Sequence, residues 1–182
     1  MAQKDYALEI VLDLIRGKSH MREIANHLNT NHMMIARRIK SLIKDNVLDF
    51  KVEGKNKVFF LKKTIEAKNY VFSAETYRLN QFLKKYPSLR QIIEKIQADK
   101  KIKLAVVFGS YAKRIAKEDS DIDIYIDTND KNIKESLSFL NSRLSVKIGK
   151  YNKSSLLIKE IEKNKVIIKG VESYYEKNGF FS

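Results

Sequence analysis

Val106-Val107-Phe108-Gly109-Ser110-Tyr111-Ala112-Lys113-Arg114-Ile115-Ala116-Lys117-Glu118-Asp119-Ser120-Asp121-Ile122-Asp123-Ile124-Tyr125-Ile126-Asp127 decides how the chain is read. The apolar run from Lys103 to Phe108 predicts a buried strand that ends directly in Gly-Ser; a short helical piece follows, then a second strand from Asp121. Gly109 has no Cβ, so a phosphate can approach its backbone closely. Ser110 adds a hydroxyl, and the free N–H groups at the start of the next helix favour an anion. In the second strand the period of two sends Ile122, Ile124 and Ile126 to the core and Asp121, Asp123, Tyr125 and Asp127 to the other side. Asp121 and Asp123 are then about 7 Å apart at Cα, and paired hard oxygen donors suit Mg²⁺ or Mn²⁺. Gly-Ser alone is a common turn, and an Asp-x-Asp pair alone is usually a solvated strand edge. Four specified residues at fixed spacing arise by chance with a frequency of roughly 10⁻³ over a chain of this length.

Upstream, Tyr6, Leu8, Ile10, Val11, Leu14 and Ile15 recur at helical spacing and stop at Gly17. Ser19 is the expected cap of a second helix, Met21 to Leu28. Thr30 is the expected cap of a third, running to about Lys44, with Met34, Ile35, Ile39, Leu42 and Ile43 inward. Residues 47–52 and 57–61 form β-rich runs joined by Glu53-Gly54-Lys55-Asn56, a hairpin signal. The segment from Thr64 to Lys85 reads as helical, and Pro87, the single proline, marks a joint before another helix. Aromatic residues here suit either a shared interdomain core or the interface of a homodimer.

The charge is +14, from 36 Lys and Arg against 22 Asp and Glu, and residues 1–64, 65–101 and 102–182 carry net +6, +4 and +4. Such a field favours polyanions, nucleic acid or nucleotide phosphates above anionic membrane surfaces, although a Lys-rich composition alone raises charge everywhere. With 43% hydrophobic and 32% charged residues the chain is expected to fold. Its longest apolar run, Leu104 to Phe108, excludes a membrane-spanning helix. The early Asp5 argues against a signal peptide, and a cytoplasmic location is expected. Cys 0 excludes thiolate zinc sites, and His20, His27 and His32 lack partners at ligand spacing.

Three short helices and a hairpin within about 63 residues resemble a winged helix-turn-helix of the broad bacterial and archaeal regulator type. The resemblance implies that Asn31, His32, Arg37 and Arg38 face bases or phosphates of duplex DNA, with Lys55 and Lys57 on phosphates. A winged helix used only for protein contact is the alternative. Residues 87–182 resemble the minimal nucleotidyltransferases of the DNA polymerase beta-like superfamily, through Gly-Ser, ten residues, Asp-x-Asp. That resemblance implies transfer of a nucleoside monophosphate from an NTP, with ATP the first candidate, to an acceptor. Gly109 and Ser110 would hold the triphosphate with help from Lys113 and Arg114, and catalytic Asp121 and Asp123 would ligate the metal. Two departures stand out. Arg114 occupies a position where such proteins usually carry Gly, which suggests a reshaped loop. The third carboxylate, expected on the strand Leu144 to Lys150, aligns with Lys147, and no acid lies between Glu135 and Glu160. Either another acid such as Asp127 serves, or the domain binds nucleotide with little turnover.

The fold expected is therefore α+β: a winged helix over 1–63, a helical connector over 64–86 and a mixed-sheet nucleotidyltransferase-like domain over 87–182. Small members of the family often pair with a HEPN-type helical protein in toxin–antitoxin systems, which makes such a protein one candidate acceptor beside small molecules and RNA ends. The rival expectation is a DNA-binding regulator whose weakened transferase domain senses nucleotide.

Overall fold

Asp5 starts the first helix, α1 (Tyr6–Leu14), by accepting the N–H groups of Ala7 and Leu8, and Ile10, Val11 and Leu14 are buried along it. A computed structural model describes residues 4–181 of the chain. The polypeptide divides into two compact units between Tyr77 and Arg78. That boundary lies inside α4 (Ile65–Lys85), so the connector expected over 64–86 is one continuous helix.

In the first unit α2 (Met21–His27) and α3 (His32–Lys44) pack with α1, and a three-stranded sheet follows. The sheet order is β1 (Ser19–His20), β3 (Asn56–Leu61), β2 (Leu48–Glu53), antiparallel throughout. Two expected caps are displaced. Ser19 pairs with Phe59 in β1 and donates its hydroxyl to Glu23 at 2.7 Å, so His20 takes the N-terminal position of α2. At α3 the cap is Asn31 rather than Thr30, with its side-chain oxygen accepting from the Met34 N–H at 2.8 Å. The end of α3 is closed by Asn46 at φ +61, with the Val47 N–H reaching back to the Leu42 carbonyl at 2.9 Å. The hairpin between β2 and β3 has a two-residue tip, Gly54-Lys55. Gly54 there adopts φ +63, the conformation glycine takes at least cost.

In the second unit the single proline opens a 3-10 turn, Pro87–Leu89, before α5 (Arg90–Ala98). The remaining elements are β4 (Ala105–Val107), α6 (Gly109–Ala112), β5 (Ile122–Asp127), α7 (Lys131–Ser138), β6 (Leu144–Gly149), α8 (Leu156–Lys163), β7 (Val166–Lys169) and α9 (Val171–Asn178). The sheet runs β6-β5-β4-β7, with β5 and β6 parallel and the other pairs antiparallel. The chain's last third therefore supplies a strand of this sheet, β7, which pairs with β4.

Alternation along the strands gives the sheet two unlike faces. Ala105, Val107, Ile122, Ile124, Ile126, Val146 and Ile168 form one buried core with Ile92, Ile93 and Ile96 of α5 and Ile133 and Leu137 of α7. The opposite face carries Asp123, Tyr125 and Asp127. Tyr125 is buried there and donates its hydroxyl to the Gly149 carbonyl at 2.8 Å. Its ring meets Tyr151 edge-on at 6.4 Å, and Tyr151 meets Tyr174 of α9 at 6.0 Å. Both of these hydroxyls, Tyr151 and Tyr174, donate to Glu162, and the Lys165 ammonium lies 3.0 Å from the same carboxylate. Burial alone would raise the Glu162 pKa, but the two phenol donors and the ammonium outweigh it and hold the carboxyl below its ordinary range. The result is a tied-down floor beneath one half of the Asp-bearing face.

Candidate nucleotide site and basic winged-helix face

Antiparallel pairing of β4 with β5 brings the Gly-Ser turn to the start of β5. The ladder continues one step beyond β4, because the Phe108 N–H donates to the Asp123 carbonyl at 3.0 Å. Gly109 follows at φ +67. A Cβ added there would lie 2.4 Å from Asp123 Oδ2, so the carboxylate is seated directly against the bare Cα of the glycine. Only glycine permits both the backbone angle and that approach. Ser110 is half-buried, and the N–H groups in the first turn of α6 have no intrahelical partner. Asp121 is exposed and immediately precedes β5.

Arg114 has φ +61, and its N–H bonds to the Tyr111 carbonyl at 3.0 Å. The left-handed turn that a glycine would favour is therefore adopted here by a bulky residue. Arg114 and Lys113 are both exposed. The Lys113 ammonium stands 3.5 Å from Glu160 of α8, whose other oxygen pairs with Lys163 at 2.9 Å. The hydrogen bond and charge of Lys163, then those of Lys113, hold the Glu160 carboxyl below its ordinary range. Nothing in the local sequence pattern around the Gly-Ser turn signals this cross-element partner.

The third acid has no occupant where it was sought. Asp127 accepts the Tyr151 N–H at 3.0 Å and pairs with Lys177 at 3.0 Å, and it lies four residues along β5 from Asp123, about 13 Å away. Its carboxylate is engaged by that amide and that ammonium. The parallel register sets Ser145, not Lys147, beside Asp123, while Lys147 stands beside Tyr125 and is exposed. Ser145 is therefore the cross-strand neighbour of Asp123, a residue the sequence reading had not singled out, and Lys147 lies one full pleat farther along. Among the described residues no three His, Asp or Glu side chains converge as a metal set. The donors that are present suit a single Mg²⁺ or Mn²⁺, because such ions commonly take one or two carboxylates and complete their shell with substrate phosphates and water. The glycine cradle beside Asp123 leaves the backbone open to those phosphates.

In the first unit Asn31, His32, Arg37 and Arg38 are all exposed on or at the start of α3. The side-chain oxygen of Asn31 is engaged in the cap. Lys55 sits at the hairpin tip, and the Lys57 ammonium lies 4.1 Å from the centroid of the Phe50 ring. A second such pair, Lys51 over Phe60 at 5.7 Å, adds a cation that the sequence reading had not singled out. Among the described residues no helix is long and apolar enough to cross a membrane.

No curated protein matches the chain. Among solved structures the chain is similar to the adhesin competence repressor AdcR of Streptococcus pyogenes, with 22% identity and a TM-score of 0.40 over 50% of this chain and 67% of that one. It is also similar to HlyU of Vibrio cholerae, with 15% identity and a TM-score of 0.36 over 41% and 77%. A third neighbour is Sso10a-2, a DNA-binding protein of Sulfolobus solfataricus, with 16% identity and a TM-score of 0.37 over 53% and 100%. The family described as "Polymerase beta, Nucleotidyltransferase" matches residues 90–173, which span the Gly-Ser turn, Asp121, Asp123 and the sheet that carries them.

Proposed function

We propose that the second unit transfers a nucleoside monophosphate from an NTP, with ATP as the first candidate, to a hydroxyl acceptor in a Mg²⁺- or Mn²⁺-dependent reaction. The observation that carries this is Asp123 seated against Gly109 within a domain of this family. In this reading the Gly109-Ser110 turn binds the triphosphate through its backbone and the Ser110 hydroxyl, and Lys113 and Arg114 screen its charge. Asp121 and Asp123 hold the metal, which supplies charge neutralisation at the phosphates when bound. The acceptor oxygen forms its bond to the α-phosphorus as the bond to pyrophosphate breaks. Fixed positive groups around the turn stabilise the charge that develops on the leaving oxygens. The chemistry of the family supports a HEPN-type partner protein as acceptor, with small molecules and RNA ends as the other outcomes. The test is pyrophosphate release with each NTP and Mg²⁺, alone and with each acceptor class. No release with any of them would end the transferase reading.

A second reading is favoured by Ser145 and by the lack of a three-acid set among the described residues: a regulator that senses nucleotide with little turnover and binds DNA through its winged helix. Both readings place duplex DNA on α3 and the wing. The exposed cations there predict binding dominated by phosphate contacts, with a log–log salt slope of about −0.9 per phosphate neutralised. Replacing Arg37, Arg38, Lys55 and Lys57 with Ala should flatten that slope by three to four such steps in a fluorescence-anisotropy titration. A salt-independent interaction, or none, would make this unit a protein-contact module.

A further inference from the structure

We propose that Lys85, at the last position of α4, is a positioning residue that holds the Gly109–Arg114 turn in its nucleotide-binding shape; this rests on the reading of that turn as the triphosphate site. Three observations converge on the contact. Arg114 is left-handed at φ +61, a conformation that disfavours a non-glycine residue by about five-fold or more. The Lys85 ammonium donates to the Arg114 carbonyl, the far end of that turn. The next residue, Tyr86, places its ring 4.8 Å from that of Tyr111 inside the turn and is backed by Phe82 at 5.2 Å. The end of α4 therefore grips the turn at two points, one polar and one aromatic.

The shape of Arg114 is passed to the residues that meet the nucleotide. The Ile115 N–H bonds to the Ser110 carbonyl at 3.1 Å and the Lys113 N–H to the Gly109 carbonyl at 3.1 Å, so a change at Arg114 shifts the peptide groups of Gly109 and Ser110. With Lys85 removed, the turn spends part of its time in a relaxed form, and apparent affinity falls by the fraction lost. A glycine at position 114 has no left-handed penalty, so it should make the turn independent of Lys85.

The experiment is calorimetry of the full chain with ATP and Mg²⁺ for wild type, Lys85→Met and Lys85→Arg, and for Lys85→Met combined with Arg114→Gly. Expected are about five-fold weaker binding for Lys85→Met, recovery with Lys85→Arg, and less than a two-fold effect of Lys85→Met measured against Arg114→Gly alone. Lys85 is exposed, so unchanged circular dichroism should accompany the loss. Equal losses in both backgrounds would show simple removal of a charge, and unchanged affinity would show no role at all. Either result overturns the proposal. A wild-type chain that binds no ATP overturns it through the underlying site reading, and is distinguished by that from a failure of Lys85 alone.

Discussion

Asp123→Asn should lower pyrophosphate release by about 10²-fold or more, and the Asp121→Asn, Asp123→Asn double variant should lose metal-dependent ATP binding altogether. The companion substitution is Gly109→Ala, which leaves every carboxylate in the sequence intact. Its new Cβ would meet Asp123 Oδ2 at 2.4 Å, and φ at that position is +67, so either the carboxylate or the turn must move. Displacements of about 1 Å between reacting groups can cost 10²-fold, so Gly109→Ala should approach Asp123→Asn in rate while retaining a fold measurable by circular dichroism. The separation between the two variants lies in binding. Asp123→Asn should weaken nucleotide only when metal is present, whereas Gly109→Ala should weaken it with and without metal, because the phosphate cradle itself is distorted. Calorimetry in Mg²⁺ and in EDTA reads the difference. Full activity in either variant would remove Asp123 and its glycine from the site.

Much of this arrangement was legible from the chain because it is local. Gly109-Ser110 and Asp121-x-Asp123 lie within fifteen residues of one another, and the alternation of Ile and Asp along β5 fixes which side chains share a face. The same holds for α1 to α3 and the hairpin, where 3.6 and 2.0 periods with Gly54 at the tip are strong signals. What escaped depends on pairing between distant segments. Ser19 suits a cap, yet its partner Phe59 draws it into a strand, and the cap falls one residue later. Thr30 and Asn31 are both good caps, and only the path of the loop selects Asn31. Along β6, Leu144-Ser145-Val146 and Val146-Lys147-Ile148 are the same apolar-polar-apolar pattern, so the sequence offers two alignments with β5. The ladder Asp123 to Ser145 chooses between them. The partner of Asp127 is hidden in the same way, because Lys177 lies fifty residues away in the chain.

That register leads to the prediction with the largest gain. Ser145 stands on the strand parallel to Asp123, about 4.8 Å away and on the same face, whereas Lys147 lies two residues farther along, beside Tyr125. Ser145→Asp would set a third carboxylate next to Asp121 and Asp123. Without metal, three acids at this spacing repel one another, so the variant should melt at a lower temperature than wild type in EDTA. With Mn²⁺ the sign reverses, because a cation binding the folded state stabilises it in proportion to its occupancy. A melting temperature that falls in EDTA and rises above wild type in Mn²⁺ is the expected signature, read by calorimetry without any assay of turnover. Pyrophosphate release should rise by about ten-fold or more if the wild-type domain is limited by metal. Lys147→Asp removes a positive charge from the same face but places its carboxylate a full pleat away, so its effect on Mn²⁺ affinity should be smaller. If Lys147→Asp matches or exceeds Ser145→Asp, the β5–β6 register is not what sets the site. If neither binds Mn²⁺ more tightly than wild type, Asp121 and Asp123 do not form a metal site, and the nucleotide-sensing regulator becomes the reading that the remaining residues support.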